Sequence, residues 1–270
     1  MASTKFVGTA GEVYVTSLLV EDCEDAWTAD AGGATANTDA VDYKVGAASV
    51  KCVIPAALGT NVLIAHEAGL GALDLTDYTT LFLWVKSSLE LTLNQMQILL
   101  DDTAACDSPL EFLQVPALTA ATWTKIALTL ADPSLLGGIN AVGLKQIAAL
   151  GAQNFWLDDI RAVFTVAGIK SWTVDLIYDT GETTSFDDVG VKAHLPTVSG
   201  WSGTFEGYKT GAPLTIASEV ALALKETQTT GQIWTGQAII TGLHGATAHE
   251  GIATYAYDFQ GTGDLTIPTA

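Results

Sequence analysis

The sequence predicts an antiparallel all-β protein with one short helix, and three observations predict it. Glycine is frequent and proline sparse, 26 against 7 in 270 residues. That balance suits short strands joined by glycine turns. Most apolar runs alternate with period two and are rich in Val, Thr, Ile and aromatic residues. One window, Thr215–Thr227, instead spaces its apolar residues as a helix does. Hydrophobic residues make up 49% of the chain, enough for a proper core and against global disorder.

The elements follow in order. "KFVGTAGEVYV" (Lys5–Val15) alternates around Gly8 and Gly11 and reads as a strand or hairpin arm. Near Leu18 the texture changes. "LLVEDCEDAW" opens a dense acidic stretch, and "TADAGGATANTDA" follows as a small-residue loop. Strand-like runs come next: "AASVKCVI", "TTLFLWVKSS", "LNQMQILLDD", "EFLQVPAL", "TWTKIALTL" and "NFWLDDIRAVF". Their spacing suits an antiparallel sandwich. "SLLGGINAVGLKQIAAL" (Ser134–Leu150) carries three glycines and reads as a loop with a short helical turn.

The texture changes again at "VAGIKSW". "IKSWTVDLIYD" alternates strongly and is a strand. The polar connection from Thr180 to Gly200 is long, and long connections are often functional or ordered by a partner. "GWSGTFEGYK" is the next strand. In "TIASEVALALKET", Ile216, Val220, Leu222 and Leu224 form the apolar side of the expected helix. "GQIWTGQAIITGL" and "GIATYAYDFQGTGDLTI" close the chain as strands.

Charge and cysteines exclude several functions. The net charge is −19, with 11 Lys/Arg in all, and Arg161 is the single arginine. Gripping nucleic acid through its phosphates needs clustered cations, so tight nucleic-acid binding is not expected. An acidic surface aids solubility, and it suits a wall that nucleic acid slides past. Residues 19–164 hold 6 Lys/Arg against 18 Asp/Glu, net −12, and the remainder holds 5 against 12, net −7. Cys23, Cys52 and Cys106 are odd in number and form no CxxC, so neither a zinc module nor a disulfide framework is signalled. No signal peptide is expected from the first residues. No uncharged apolar run approaches the ~18 residues of a membrane span.

The two ends of the chain carry a G-x-x-G-x-V-x-V arm (Gly8, Gly11, Val13, Val15) and a K-S-W strand (Lys170, Ser171, Trp172). T-S-F-D (Thr184–Asp187), L-P-x-x-x-G-W-S-G-x-F-E-G-Y (Leu195–Tyr208) and the terminal F-Q-G-T-G (Phe259–Gly263) follow. In this order the two ends together resemble the tail tube protein of tailed bacteriophages. The stretch between resembles a jelly-roll module of the carbohydrate-binding kind, through "VEDCEDAW", "VGAASVKCVI", "LDLTDYTTLFLWVKSS" and "FWLDDIRA". The resemblance implies a discontinuous tail-tube β-sandwich or barrel domain, residues 1–18 plus 165–270. It implies an inserted antiparallel jelly-roll β-sandwich over residues 19–164. The first and last strands of such a sandwich end close together, which eases insertion into a host hairpin.

The tail-tube resemblance implies hexameric rings that stack into a tube through which DNA passes. The partners are then other copies of the chain and further tail proteins: tape measure, completion and initiator. The location is the virion tail, after synthesis in the host bacterial cytoplasm. Gly203 and Gly207 would allow close backbone approach. Trp172, Trp201 and Trp234 would wedge the sheet against the helix. Asp175, Glu206 and Asp258 are the candidate acidic residues of the lumen wall, with strand register left open. Thr183, Thr184, Ser185, Phe186, Asp187 and Asp188 would connect neighbouring subunits or rings. The inserted module would project outward, which favours a tail without a sheath.

Other chemistry is weaker. Trp27, Trp84 and Trp156 are sugar-stacking candidates, set against burial in the core. Related jelly rolls carry a structural calcium near the first and last strands, which would fall on Glu24 and Asp158. The pairs Asp101-Asp102 and Asp158-Asp159 otherwise read as solvated acids. His244 and His249 lack a third zinc ligand and read as turn residues. "GWSG" leads into a strand and is not the G-x-S-x-G elbow. "FQGTGD" ends a strand and is no phosphate cradle. No acid pair stands out for glycoside hydrolysis, so no enzyme activity and no cofactor are expected. The alternatives are a virion-surface glycan-binding module, with host glycans as partners, and a capsid decoration protein.

Overall fold

The computed structural model describes residues 12–56, 58–182, 192, 194–209, 213–217, 219–226, 232–247 and 252–268. These form sixteen strands, and a 3-10 turn at Pro133–Leu135 is the single helical element among them. The chain divides into two compact units, residues 1–16 with 166–270, and residues 17–165. Strand β1 (Glu12–Glu21) begins in the first and ends in the second.

The 17–165 unit contains β2 (Thr28–Ala29), β3 (Thr35–Asp39), β4 (Ser49–Ile54), β5 (Val62–Leu73) and β6 (Thr80–Ser87). It continues with β7 (Met96–Asp101), β8 (Glu111–Gln114), β9 (Thr124–Thr129), β10 (Ile139–Gln146) and β11 (Gln153–Thr165). One sheet joins β3, β4, β11, β6 and β9, and the second runs β2-β5-β10-β7-β8. The pairings are antiparallel. Alternate residues of both sheets share one apolar cluster: Leu81, Leu83, Phe155 and Leu157 from the first, Ile64, Ile98, Val142 and Leu144 from the second. Two sheets closing over one core make a β-sandwich. Cys23, Cys52 and Cys106 are free and buried. Burial pushes the thiols of Cys52 and Cys106 up to about 12.

One stretch here differs from expectation, and one strand was not read from the sequence at all. Eight residues of the glycine-rich window Ser134–Leu150 form β10, a central strand. Ile139, Val142 and Leu144 face the core, and Gly143 leaves its space to the Cys106 sulfur. "VLIAHEAGLGAL" is the long strand β5, hidden in the sequence by its glycines and by a register shift in its pairing with β10.

In the other unit, β12 (Ile169–Glu182), β13 (His194–Tyr208), β14 (Glu219–Lys225), β15 (Ile233–Ala246) and β16 (Thr254–Gly261) join β1. The order is β12-β13-β16-β15-β14-β1, antiparallel throughout. One face buries Val13, Val15, Trp201, Phe205, Leu222, Leu224, Ile240, Tyr257 and Phe259. Phe205 stacks on Tyr257 at 4.8 Å. Gly203 and Gly207 bring β13 close to the carbonyls of Thr173 and Gly168.

The expected helix at Thr215–Thr227 is instead strand β14, paired on both sides with β1 and β15. Val220, Leu222 and Leu224 satisfy a period of two as well as a helical one. Ala217 sits at φ 63°, in the left-handed region that a continuing helix does not allow. Trp172 and Trp234 pack at the margin of the apolar face, and Trp201 lies within it, without a helix to wedge against. Both ends of the expected connection Thr180–Gly200 are strand, Thr180–Glu182 in β12 and His194–Gly200 in β13.

Candidate functional site

Period two and cross-strand register decide which side chains share the outer face of this sheet. Asp175 stands opposite Ser202, which stands opposite Gln260. Thr173 pairs with Thr204 and Thr204 with Asp258. Ser171 pairs with Glu206, Glu206 with Ala256, and Ala256 with His244. Asp175, Glu206 and Asp258 therefore lie on one face, opposite to Trp201, Phe205 and Phe259.

Hydrogen bonds knit that face together. Glu206 accepts from Lys170 Nζ at 3.0 Å and from Ser171 Oγ at 3.1 Å. The Lys170 ammonium holds the Glu206 carboxyl below its usual range. Thr173 and Thr204 hydroxyls meet at 3.1 Å. Asp258 meets His244 Nε2 at 2.8 Å. Among the described residues Asp175 makes no ion pair. The face is thus a carpet of hydroxyls and amides on which two of the three acids have basic partners.

Strand β12 is the edge of the sheet, and among the described residues it pairs only with β13. Strand β13 pairs with β16 over Ser202–Tyr208, whereas its pairing with β12 extends out to His194. The β12–β13 hairpin therefore runs on past the sheet as a two-stranded arm. Ile177 and Tyr178 on this arm are 60% and 58% exposed. Thr183–Asp188, the expected inter-ring connection, lies outside the described residues, as does His249.

In the 17–165 unit the three candidate tryptophans separate. Trp27 and Trp156 are 3% and 7% exposed and too buried to stack on a sugar. Trp156 Nε1 donates to Asp39 at 3.0 Å. Trp84 is half-buried, with Lys44 Nζ 5.4 Å and Lys125 Nζ 5.6 Å from its ring. Phe112, not singled out in the sequence, is exposed on β8, with Lys145 Nζ 5.6 Å from its ring. Its alternation with the buried Leu113 was the available signal.

Glu24 and Asp158 meet at one loop. Asp158 Oδ2 accepts from the amides of Lys44 at 2.6 Å and Val45 at 3.0 Å, and Glu24 Oε1 from that of Ala47 at 2.8 Å. A bulge with Asp159 at φ 48° turns β11 here. Asp158 Oδ1 is buried without a hydrogen-bond partner. Burial pushes this carboxyl up to about 6, with Asp159 and Glu24 adding repulsion. Among the described residues no group of three or more His, Cys, Asp or Glu side chains could hold a metal ion. A cation at this loop would draw its remaining oxygens from the backbone. Asp101, by contrast, is not a free acid but caps its own loop, accepting from the amides of Thr103 and Ser108, both at 2.9 Å.

A cavity of about 300 Å³ lies in the same unit, lined by Glu21, Asp22, Asp25 and Glu67 with Leu70 and Leu73. Burial, with Asp22 and Glu67 nearby, pushes the Glu21 carboxyl up to about 7.

No protein-family model and no curated protein matches the chain. Among solved structures, it is similar to the tail of an empty gene transfer agent particle, refined with C6 symmetry. The TM-score is 0.34 at 20% identity, over 40% of this chain and 87% of that one. The virion of a native gene transfer agent particle gives 0.33 at 20% identity, over 40% and 89%. An N-terminal CBM22-1–GH10 segment of xylanase 10B from Clostridium thermocellum, complexed with xylohexaose, gives 0.38 at 15% identity, over 58% of this chain and 29% of that one. No helix of the described residues is long and apolar enough to cross a membrane.

Proposed function

We propose that the chain is a structural subunit of a phage tail tube. Its six-stranded sheet joins neighbouring copies into a hexameric ring, and rings stack around a channel for DNA. The observation that carries this reading is the open edge of that sheet. Among the described residues, β12 offers fourteen residues of backbone with a partner on one side only. Such an edge is a liability for a monomer and is consumed when sheets join edge to edge. The polar face bearing Asp175, Glu206 and Asp258 is the lumen wall in this reading. Its hydroxyls and amides offer passing DNA no cluster of cations to adhere to. The β12–β13 arm, with Ile177 and Tyr178, contacts the next subunit or ring. The 17–165 unit decorates the outside, since a channel has no room for six such modules. Tape measure, completion and initiator proteins are the further partners, and the protein's place is the virion tail. It acts without catalysis.

Negative-stain electron microscopy of concentrated protein tests this. Rings or tubes with a central channel and external knobs are expected. Particles that remain monomeric even after addition of preformed tail tips overturn it.

A second reading gives the 17–165 unit a task of its own, glycan binding at the virion surface. The exposed Phe112 and the half-exposed Trp84 favour it. We also propose that Asp158, through its unpartnered Oδ1, and Glu24 hold a structural calcium that fixes the loop containing Lys44–Ala47.

A further inference from the structure

The 17–165 unit carries 18 acids against six cations, yet five of those cations gather at one sheet. Three of them are matched. Lys51 pairs with Asp39 at 3.5 Å, Arg161 with Asp159 at 2.6 Å, and Lys86 with Asp42. Lys44 and Lys125 are not: among the described residues neither forms an ion pair, and both sit on the Trp84 ring. Lys125 also lies 5.7 Å from the Phe82 ring.

The arrangement is built rather than incidental. Asp158, Trp84 and Lys125 stand in one cross-strand row on β11, β6 and β9. Asp158 accepts from the backbone amide of Lys44, which anchors the loop from which the second ammonium projects. Asp159 acts on Lys125 only through space, with Arg161 opposing it; two ammoniums with no ion pair among the described residues, in a unit of net −12, are an anomaly that an anion resolves. Burial lowers the Lys125 ammonium from its usual range, against the pull of Asp159, and a bound anion would favour its charged form.

We propose that Lys44, Trp84 and Lys125 form a site for an acidic sugar residue, a uronate or sulfated pyranose of an anionic polysaccharide. The carboxylate or sulfate bridges the two ammoniums through charge-assisted hydrogen bonds. The half-exposed indole gives the sugar ring an apolar surface. Charge density selects a polysaccharide over nucleic acid. Duplex DNA carries about one charge per 1.7 Å, which the acids around this patch repel. An acidic polysaccharide places one or two charges on each sugar. The inference rests on the reading of this unit as a glycan-binding module and is independent of the tube.

The test is affinity electrophoresis of the full chain in native gels cast with polygalacturonate, dextran sulfate, neutral dextran, neutral xylan or single-stranded DNA. Retardation by one or both polyanionic glycans is expected, and none by dextran or DNA. Lys44→Ala, an exposed position, should weaken retardation about tenfold in Kd, a loss of about 1.4 kcal/mol, with an unchanged melting temperature. Lys125→Met should weaken it likewise. Absence of retardation by both polyanions, or equal retardation of wild type and Lys44→Ala, overturns the site. Equal retardation by DNA overturns its assignment to a sugar. Retardation by xylan alone overturns it too, while leaving a glycan-binding module intact.

Discussion

The Trp201 indole fills space that two glycines leave open. A Cβ at Gly236 would stand 2.5 Å from Cζ2 of the ring, and one at Gly261 would enter the indole itself. Trp201 Nε1 donates to the Gly263 carbonyl at 2.7 Å, so the ring is held at its polar end as well. Gly261→Ala should therefore lower the stability of this unit by about 1–3 kcal/mol through overpacking. Trp201→Ala should cost about 3–5 kcal/mol through the cavity it leaves. Urea unfolding followed by the fluorescence of the remaining tryptophans measures both. At the same scale, Glu21 has a folded pKa of about 7, above its unfolded value, so its contribution is full below pH ~4 and is lost as pH rises through 7. The 17–165 unit should melt several degrees lower at pH 8 than at pH 5. Glu21→Gln should reduce that dependence in calorimetry across the same range, leaving the part that Asp158, pushed up to about 6, contributes.

Among elements, the β12–β13 arm and the loop containing Lys44–Ala47 make opposite demands. The arm keeps exposed apolar side chains beyond the sheet that supports it, so its reward lies in assembly. Ile177→Lys with Tyr178→Lys should leave the melting temperature of the subunit within a degree or two, because neither residue is buried. The same pair should abolish tubes in electron micrographs, and a stable variant that still forms normal tubes would remove the arm from the interface. The loop, in contrast, closes on buried carboxylates. Calcium should raise the melting temperature, EDTA should reverse the rise, and Asp158→Asn should not respond to either. A melting curve indifferent to calcium in the wild type would leave Asp158 Oδ1 to a water molecule.

At the scale of the whole molecule, charge opposes association. Copies that each carry −19 repel one another until salt screens them. Tube formation by light scattering should accelerate as ionic strength rises from about 10 mM to 500 mM, where the Debye length falls from ~30 Å towards a few ångströms. Slower assembly at high salt would mean that complementary charges, and not apolar contact and backbone pairing, hold the rings together.

The sequence by itself determined that the protein is all β, because period-two alternation forces side chains to opposite faces whatever the strands pair with. Within each strand it determined that Trp201 and Phe205 point away from Glu206, and that Tyr257 and Phe259 point away from Asp258. The relation between different strands was not legible, because register is set by partners distant in the chain. Only the tertiary structure brought Asp175, on its own strand, to the same face as the other two acids. Only it made β14 a strand, since Val220, Leu222 and Leu224 fit either period until β1 and β15 supplied hydrogen bonds on both sides. It likewise buried Trp27 and Trp156 and left Trp84 in reach of two lysines. A tryptophan's neighbours come from strands on either side, and its own segment does not name them.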